Sequence, residues 1–138
     1  MDGLVNLKTL ILSFNEIEEI EGLNHNVKLE KLDLNHNFIR TIQNLQGLAQ
    51  LTSLDLRSNW LTELQQIEHI EQHCMKLQEL GLKCNPMANK QSYRIQVFKK
   101  LPQIKKLDGQ NFSERDKESS DRGARELSLN IIVENLKN

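Results

Sequence analysis

Aromatic residues are scarce, with one tryptophan, one tyrosine and four phenylalanines in 138 residues. A core built by such a chain has to be aliphatic, and every aromatic that lands on the surface is a candidate for recognition. Cysteine is nearly absent, since only Cys74 and Cys84 occur. Two thiols do not make a disulfide framework, so the fold must be held by packing, and reduced thiols are expected. No stretch approaches the roughly 18 consecutive apolar residues that a membrane-spanning helix needs. The start, Met1 to Leu7, has neither the basic region nor the apolar segment of a secretion signal. No membrane partner is therefore expected, and an intracellular, cytoplasmic location is. On that reading the acceptor pattern Asn111-Phe112-Ser113 is accidental. An excess of either charge is also missing, because 18 basic and 19 acidic side chains leave a formal −1. No overall field draws the chain to nucleic acid, so direct contact with RNA or DNA is not expected.

Leucine in register is what the sequence has in abundance. Leu7-Leu10-Leu12-Asn15, Leu29-Leu32-Leu34-Asn37, Leu51-Leu54-Leu56-Asn59 and Leu77-Leu80-Leu82-Asn85 follow one another at steps of 22, 22 and 26 residues. One such unit is too small to bury its own leucines, so the units must stack. The pattern is identified as a leucine-rich repeat array, which implies a right-handed α/β solenoid with short parallel strands and a broad curved surface. Around each leucine pair the period is two, so Leu10 and Leu12 point inward while Thr9, Ile11 and Ser13 face the concave side. After each asparagine the spacing of Ile17 and Ile20, Ile39 and Ile42, and Leu61 and Leu64 predicts a 3₁₀ turn on the convex side. The third repeat is longer, and Gln65 to Lys76 sets Ile67, Ile70 and Cys74 at helical spacing.

The reading divides the chain into repeats over 1–84, the first truncated at its start, a cap over 85–112, and a charged linker with an amphipathic C-terminal helix over 113–138. Asp2-Gly3-Leu4-Val5-Asn6-Leu7 has the form of a repeat's closing segment, so the chain begins in mid-repeat and a longer parent array is expected. Leu4, Val5 and Leu7 would then be uncovered. With the tail stripe Leu129, Ile132, Val133 and Leu136, they give two surfaces for self-association.

From Asn85 the pattern changes to Asn85-Pro86, Tyr93-Arg94, Val97, Leu101-Pro102, Ile104 and Leu107-Asp108-Gly109. This resembles the C-terminal cap of the leucine-rich repeat class that contains the regulatory subunit of protein phosphatase 1, the A-prime protein of the U2 spliceosomal particle and the axonemal dynein light chain 1. Residues 4 to about 110 are covered by the resemblance. It implies a helix near Ser92 to Lys100 that swings over the last strand, with Tyr93, Val97, Leu101 and Leu107 shielding Leu80 and Leu82. It further implies a protein-interaction scaffold or adaptor, expected in a cytoskeletal or ciliary assembly. Regulation of the phosphatase type and an adaptor role in an RNA particle, which would place the chain in the nucleus, are the alternatives.

Several residue sets invite a chemical reading. Asn15, Asn37, Asn59 and Asn85 stand where their amides can satisfy backbone groups of neighbouring repeats. Asp33 and Asp55 occupy one position of adjacent repeats, about 5 Å apart if the strands stack. Lys31, Arg57 and Lys83 share that face and are expected to neutralise them, so no catalysis is expected. His69 and His73 have the four-residue spacing of a ligand pair, but no third ligand accompanies them, and a solvated convex face is expected without metal or cofactor. Lys99, Lys100, Lys105 and Lys106 read as a solvated cap face. The expected binding surface combines Ile11, Phe14, Lys31, Asp33, His36, Asp55, Arg57 and Lys83 with Phe38 and Trp60, which share the position after the asparagine and should be neighbours at the rim. Aromatics beside cationic side chains are the composition of binding hot spots.

Overall fold

The computed structural model describes residues 5–112. The sequence-predicted tail helix, with its Leu129, Ile132, Val133 and Leu136 stripe, lies outside the described residues, as does Leu4. Within them, four three-residue strands, β1 (Thr9–Ile11), β2 (Lys31–Asp33), β3 (Ser53–Asp55) and β4 (Glu79–Gly81), pair in parallel in chain order. Leu10, Leu32, Leu54 and Leu80 align across the strands and are buried. The right-handed return of the chain after each strand stacks the next leucine pair on the last, and the core is a continuous aliphatic column.

Beyond β4 the cap consists of a 3₁₀ turn (Pro86–Asn89), helix α2 (Tyr93–Lys100), and the short strands β5 (Lys106–Leu107) and β6 (Gln110–Asn111), which pair antiparallel. Val97, Leu101, Ile104 and Leu107 are buried there and extend the column. Asp108 ties the cap to the last repeat, accepting from the Leu82 and Lys83 backbone N–H groups at 2.7 and 2.8 Å and from the Tyr93 hydroxyl. Burial and that hydrogen bond push the Tyr93 phenol well above its ordinary range, which favours the protonated form that donates to Asp108. Burial alone pushes the Cys74 thiol up to about 11, which keeps it an inert apolar plug.

The convex side departs from expectation. A 3₁₀ turn (Leu64–Gln66) leads into helix α1 (Ile67–His73) in the long third repeat, but the convex segments of the first two repeats contain no regular helix. Their backbone groups are met by side chains of the following repeat. Gln66 accepts from Ile42 N at 2.8 Å and donates to Arg40 O at 3.1 Å, and Asn44 donates to Ile20 O at 2.7 Å. With those partners supplied from outside, the local i to i+3 bonds of a 3₁₀ turn are not required.

His69 has the same job, which corrects its reading as part of a solvated face: its Nε2 accepts from Leu45 N at 3.0 Å. That bond demands a neutral ring. Burial, with the nearby His73 adding to it, lowers the His69 pKa below its ordinary 6.5. A depressed histidine pKa means that the unfolded chain takes up the proton more readily, so stability is full above about pH 6.5 and falls as the pH drops below it. Denaturant midpoints measured from pH 8 to 5 should show that decline, and His69→Gln, which keeps an acceptor, should flatten it. Among the described residues, no helix is long and apolar enough to cross a membrane.

Candidate protein-binding surface

The parallel register sets the outward side chains of the strands in rows. Thr9, Lys31, Ser53, Glu79 and Lys106 form one row, and Ile11, Asp33, Asp55 and Gly81 form the next. A third row comes from a backbone device rather than from pleating. Phe14, His36, Ser58 and Cys84, each just before the repeat's asparagine, all take left-handed φ values of 56 to 62°. No glycine occupies these positions, and the strain is held by hydrogen bonds to the next repeat: Phe14 N to Asn35 O at 3.1 Å, His36 N to Arg57 O at 3.0 Å and Ser58 N to Lys83 O at 2.9 Å. The reversal swings these side chains outward while the asparagine turns in.

The inward asparagines form a ladder. Asn59 Nδ2 donates to Leu34 O and Leu56 O, both at 3.0 Å, and its Oδ1 accepts from Ile39 N at 3.0 Å. Asn37 and Asn85 repeat that pattern in their own repeats and are likewise buried. The face above them is thereby fixed to a stiff base.

On that face one amide joins three of the residues singled out from the sequence. Asn35 Nδ2 donates to Asp33 Oδ1 at 2.6 Å and to Asp55 Oδ2 at 3.2 Å. Its Oδ1 can then only accept, so His36 Nδ1, 2.7 Å away, carries the proton. The His36 ring stacks on Phe14 with centroids 4.3 Å apart and planes 16° off parallel. Arg57 closes the other side of the network, with Nε 2.9 Å from Asp55 Oδ1 and Nη2 2.8 Å from Asp55 Oδ2. Burial pushes the Asp55 carboxyl up, but hydrogen bonds from the Arg57 side chain and backbone, the guanidinium charge and the Asn35 amide outweigh it and hold Asp55 below its ordinary range. The same pair raises Arg57, with Asp33 and Asp108 contributing. These contacts favour the ionised form of Asp55.

The expectation that Lys31, Arg57 and Lys83 jointly neutralise the aspartates needs correction. Arg57 and the Asn35 amide do so, whereas Lys31 and Lys83 are exposed and form no salt bridge among the described residues. The amide already fills the space between the carboxylates, and the lysines extend into water. Asn35 and Gly81 fall on this face by the alternation of the strands, but the sequence does not single them out among the binding residues. A signal for Asn35 existed, since Asp33 and Asp55 each accept from the backbone N–H two residues on, Asn35 at 3.0 Å and Arg57 at 3.1 Å, and this short turn fixes the side chain at that position.

Four large apolar side chains break the surface. Ile11 is 59% exposed, Phe14 73%, Phe38 46% and Trp60 54%. Phe38 and Trp60, with Pro86 and Asn89, line an open rim groove of about 590 Å³. Among the described residues no group of three or more histidine, cysteine, aspartate or glutamate side chains is arranged to hold a metal ion.

The leucine-rich repeat pattern matches residues 3–128, nearly the whole chain. The chain belongs to the leucine-rich repeat family. Its solenoid is similar to a chain of the Drosophila melanogaster SNF/U2A' complex, at 31% identity and a TM-score of 0.77, over 87% of this chain and 70% of that one. It is also similar to the Chaetomium Mex67:Mtr2 subunits, with 28% identity and a TM-score of 0.54 over 72% and 71% of the two chains. The Listeria monocytogenes internalin InlJ shares 27% identity and a TM-score of 0.54 over 77% of this chain and 21% of its own. No curated protein matches. Leucine-rich repeat domains generally act as protein-interaction scaffolds and are typically non-enzymatic, and the SNF/U2A' and Mex67:Mtr2 structures are protein complexes of this kind.

Proposed function

We propose that this leucine-rich repeat chain is an adaptor that binds a protein partner on its concave face and aromatic rim. The observation that carries the reading is the Asn35 network: one buried amide orders Asp33, Asp55 and His36, and through the His36 ring the exposed Phe14. Side chains ordered before binding lose little entropy on binding, and the aromatics Phe14, Phe38 and Trp60 supply anchors to be desolvated. Arg57 and Asp55 fix orientation by charge, with Lys31 and Lys83 free to meet acidic groups of the partner.

Among the settings implied by the resemblance, an adaptor within an RNA–protein particle has the added support of the likeness to the SNF/U2A' complex. There the partner is itself a protein, in keeping with the balanced charge of this chain. The ciliary or cytoskeletal setting and regulation of the phosphatase type rest on the class resemblance alone.

The test is affinity capture from cell extract with the chain and with a Phe14→Ala, Phe38→Ala, Trp60→Ala variant shown by circular dichroism to be folded. A partner set held by the first and lost by the second is the expected result, and its identity separates the settings. Capture of the same proteins by both would overturn the rim as a binding surface.

Self-association through the first repeat is a second reading, favoured by Val5, which is 49% exposed, and by the outer edge of β1, which has no partner strand among the described residues. Sedimentation that shows only monomer over a wide concentration range would exclude it.

A further inference from the structure

The residues that follow the four asparagines, Glu16, Phe38, Trp60 and Pro86, run along the rim in one row. Backbone bonds from Phe38 N to Ile17 O at 2.8 Å, Trp60 N to Ile39 O at 2.8 Å and Met87 N to Leu61 O at 2.9 Å hold the row together. At about 4.8 Å per strand the row is roughly 14 Å long, the reach of about four extended residues.

Its chemistry changes along its length. The middle is the groove of about 590 Å³ floored by Phe38, Trp60 and Pro86, and no lysine, arginine or carboxylate lines it. That volume is in the range of sites that enclose a few side chains. At the first-repeat end Glu16, Glu18, Glu19 and Glu21 border a shared depression. At the cap end the exposed Lys83 and Lys90 adjoin the groove-lining Cys84 and Asn89. None of these six charged residues is in a salt bridge among the described residues.

We propose that the rim groove takes an extended protein segment of segregated charge, with a basic residue toward Glu16 and Glu18, apolar side chains against Phe38 and Trp60, and an acidic residue toward Lys83 and Lys90. The inference rests on the rim being a binding surface and adds the chemistry of its occupant. An uncharged aromatic floor between ends of opposite sign rejects a uniformly charged peptide at one end or the other, and that repulsion supplies the specificity.

The chain carries its own reporter, because Trp60 is its only tryptophan. Three synthetic peptides of about ten residues, with the same leucine-phenylalanine-proline centre, are titrated against Trp60 emission: one with lysines at one end and glutamates at the other, one with glutamates at both ends, and one with lysines at both. The segregated peptide should shift the emission to the blue and bind roughly tenfold more tightly than either uniform peptide. The double variant Glu16→Lys, Glu18→Lys should turn that preference toward the doubly acidic peptide. No response to the segregated peptide at about 1 mM, or equal affinity for all three, would overturn the proposal. If the peptides fail while the triple-alanine variant still loses its captured partner, the adaptor reading stands and this inference alone falls. If both experiments fail, both readings fall.

Discussion

Asn59→Ala should destabilise the chain by about 3 kcal/mol, a large effect for a substitution that leaves every leucine in place. The alanine leaves the buried Ile39 N–H without its acceptor and takes from the Leu34 and Leu56 carbonyls one of their donors each, Asn37 and Asn85 supplying the donors that remain. The stranded N–H costs about 1 to 3 kcal/mol and each hydrogen bond lost at a carbonyl roughly 0.5 to 1 kcal/mol more, and no water can reach into a close-packed leucine column to replace the lost partner. That loss is a large fraction of the total stability of a domain of this size. Asn15→Ala is the control, because Asn15 is exposed and bonds only to Leu12 O and Ser13 O within its own turn. It should cost less than about 1 kcal/mol. Urea midpoints of the two variants test the account, and equal losses would mean that the ladder is not what joins the repeats.

Gly81→Val should cost about 2 kcal/mol and displace the Arg57–Asp55 pair on the concave face. A Cβ at Gly81 would lie 2.6 Å from Asp55 Oδ1 and 2.9 Å from Arg57 Cγ. Glycine at this strand position therefore leaves the shelf on which the Arg57–Asp55 pair rests, and a branched side chain must displace that pair. The displacement removes the bidentate contact that orders Arg57, so partner capture should fall with stability. A double-mutant cycle isolates the cause. In an Arg57→Ala background the same valine should cost clearly less. A cost unchanged by that background would place the strain at Asp55 Oδ1, the nearer contact, or in the backbone instead.

Much of the fold was legible because its signal is periodic. Four copies of one spacing define the strands, the inward leucines and the asparagine positions, and a charged stretch cannot imitate them. The helical spacing of Ile67, Ile70 and Cys74 likewise marked α1. The third repeat carries the expected 3₁₀ turn, whereas the first two do not, because the spacing of Ile17 and Ile20 is as compatible with an irregular segment as with a 3₁₀ turn. The choice fell to Gln66, Asn44 and His69, which belong to other parts of the chain. The surface shows the same division. Ile11, Phe14, Phe38 and Trp60 are conspicuous as apolar residues at outward positions, whereas Asn35 and Gly81 look ordinary in any single repeat.

The sequence by itself determined the number of stacked units, the direction each leucine faces and which residues share a row, since these follow from spacing and from the need of each unit to be covered by the next. The tertiary structure alone decided which members of a row touch. The stacking brings Asn35 within reach of the Asp55 carboxylate, lays Arg57 over Gly81, and sets the His36 ring on Phe14. Those contacts join residues about one repeat apart in the chain, and hydrogen-bond and ring geometry at that range depends on backbone positions to a fraction of an ångström, which only the packed column fixes.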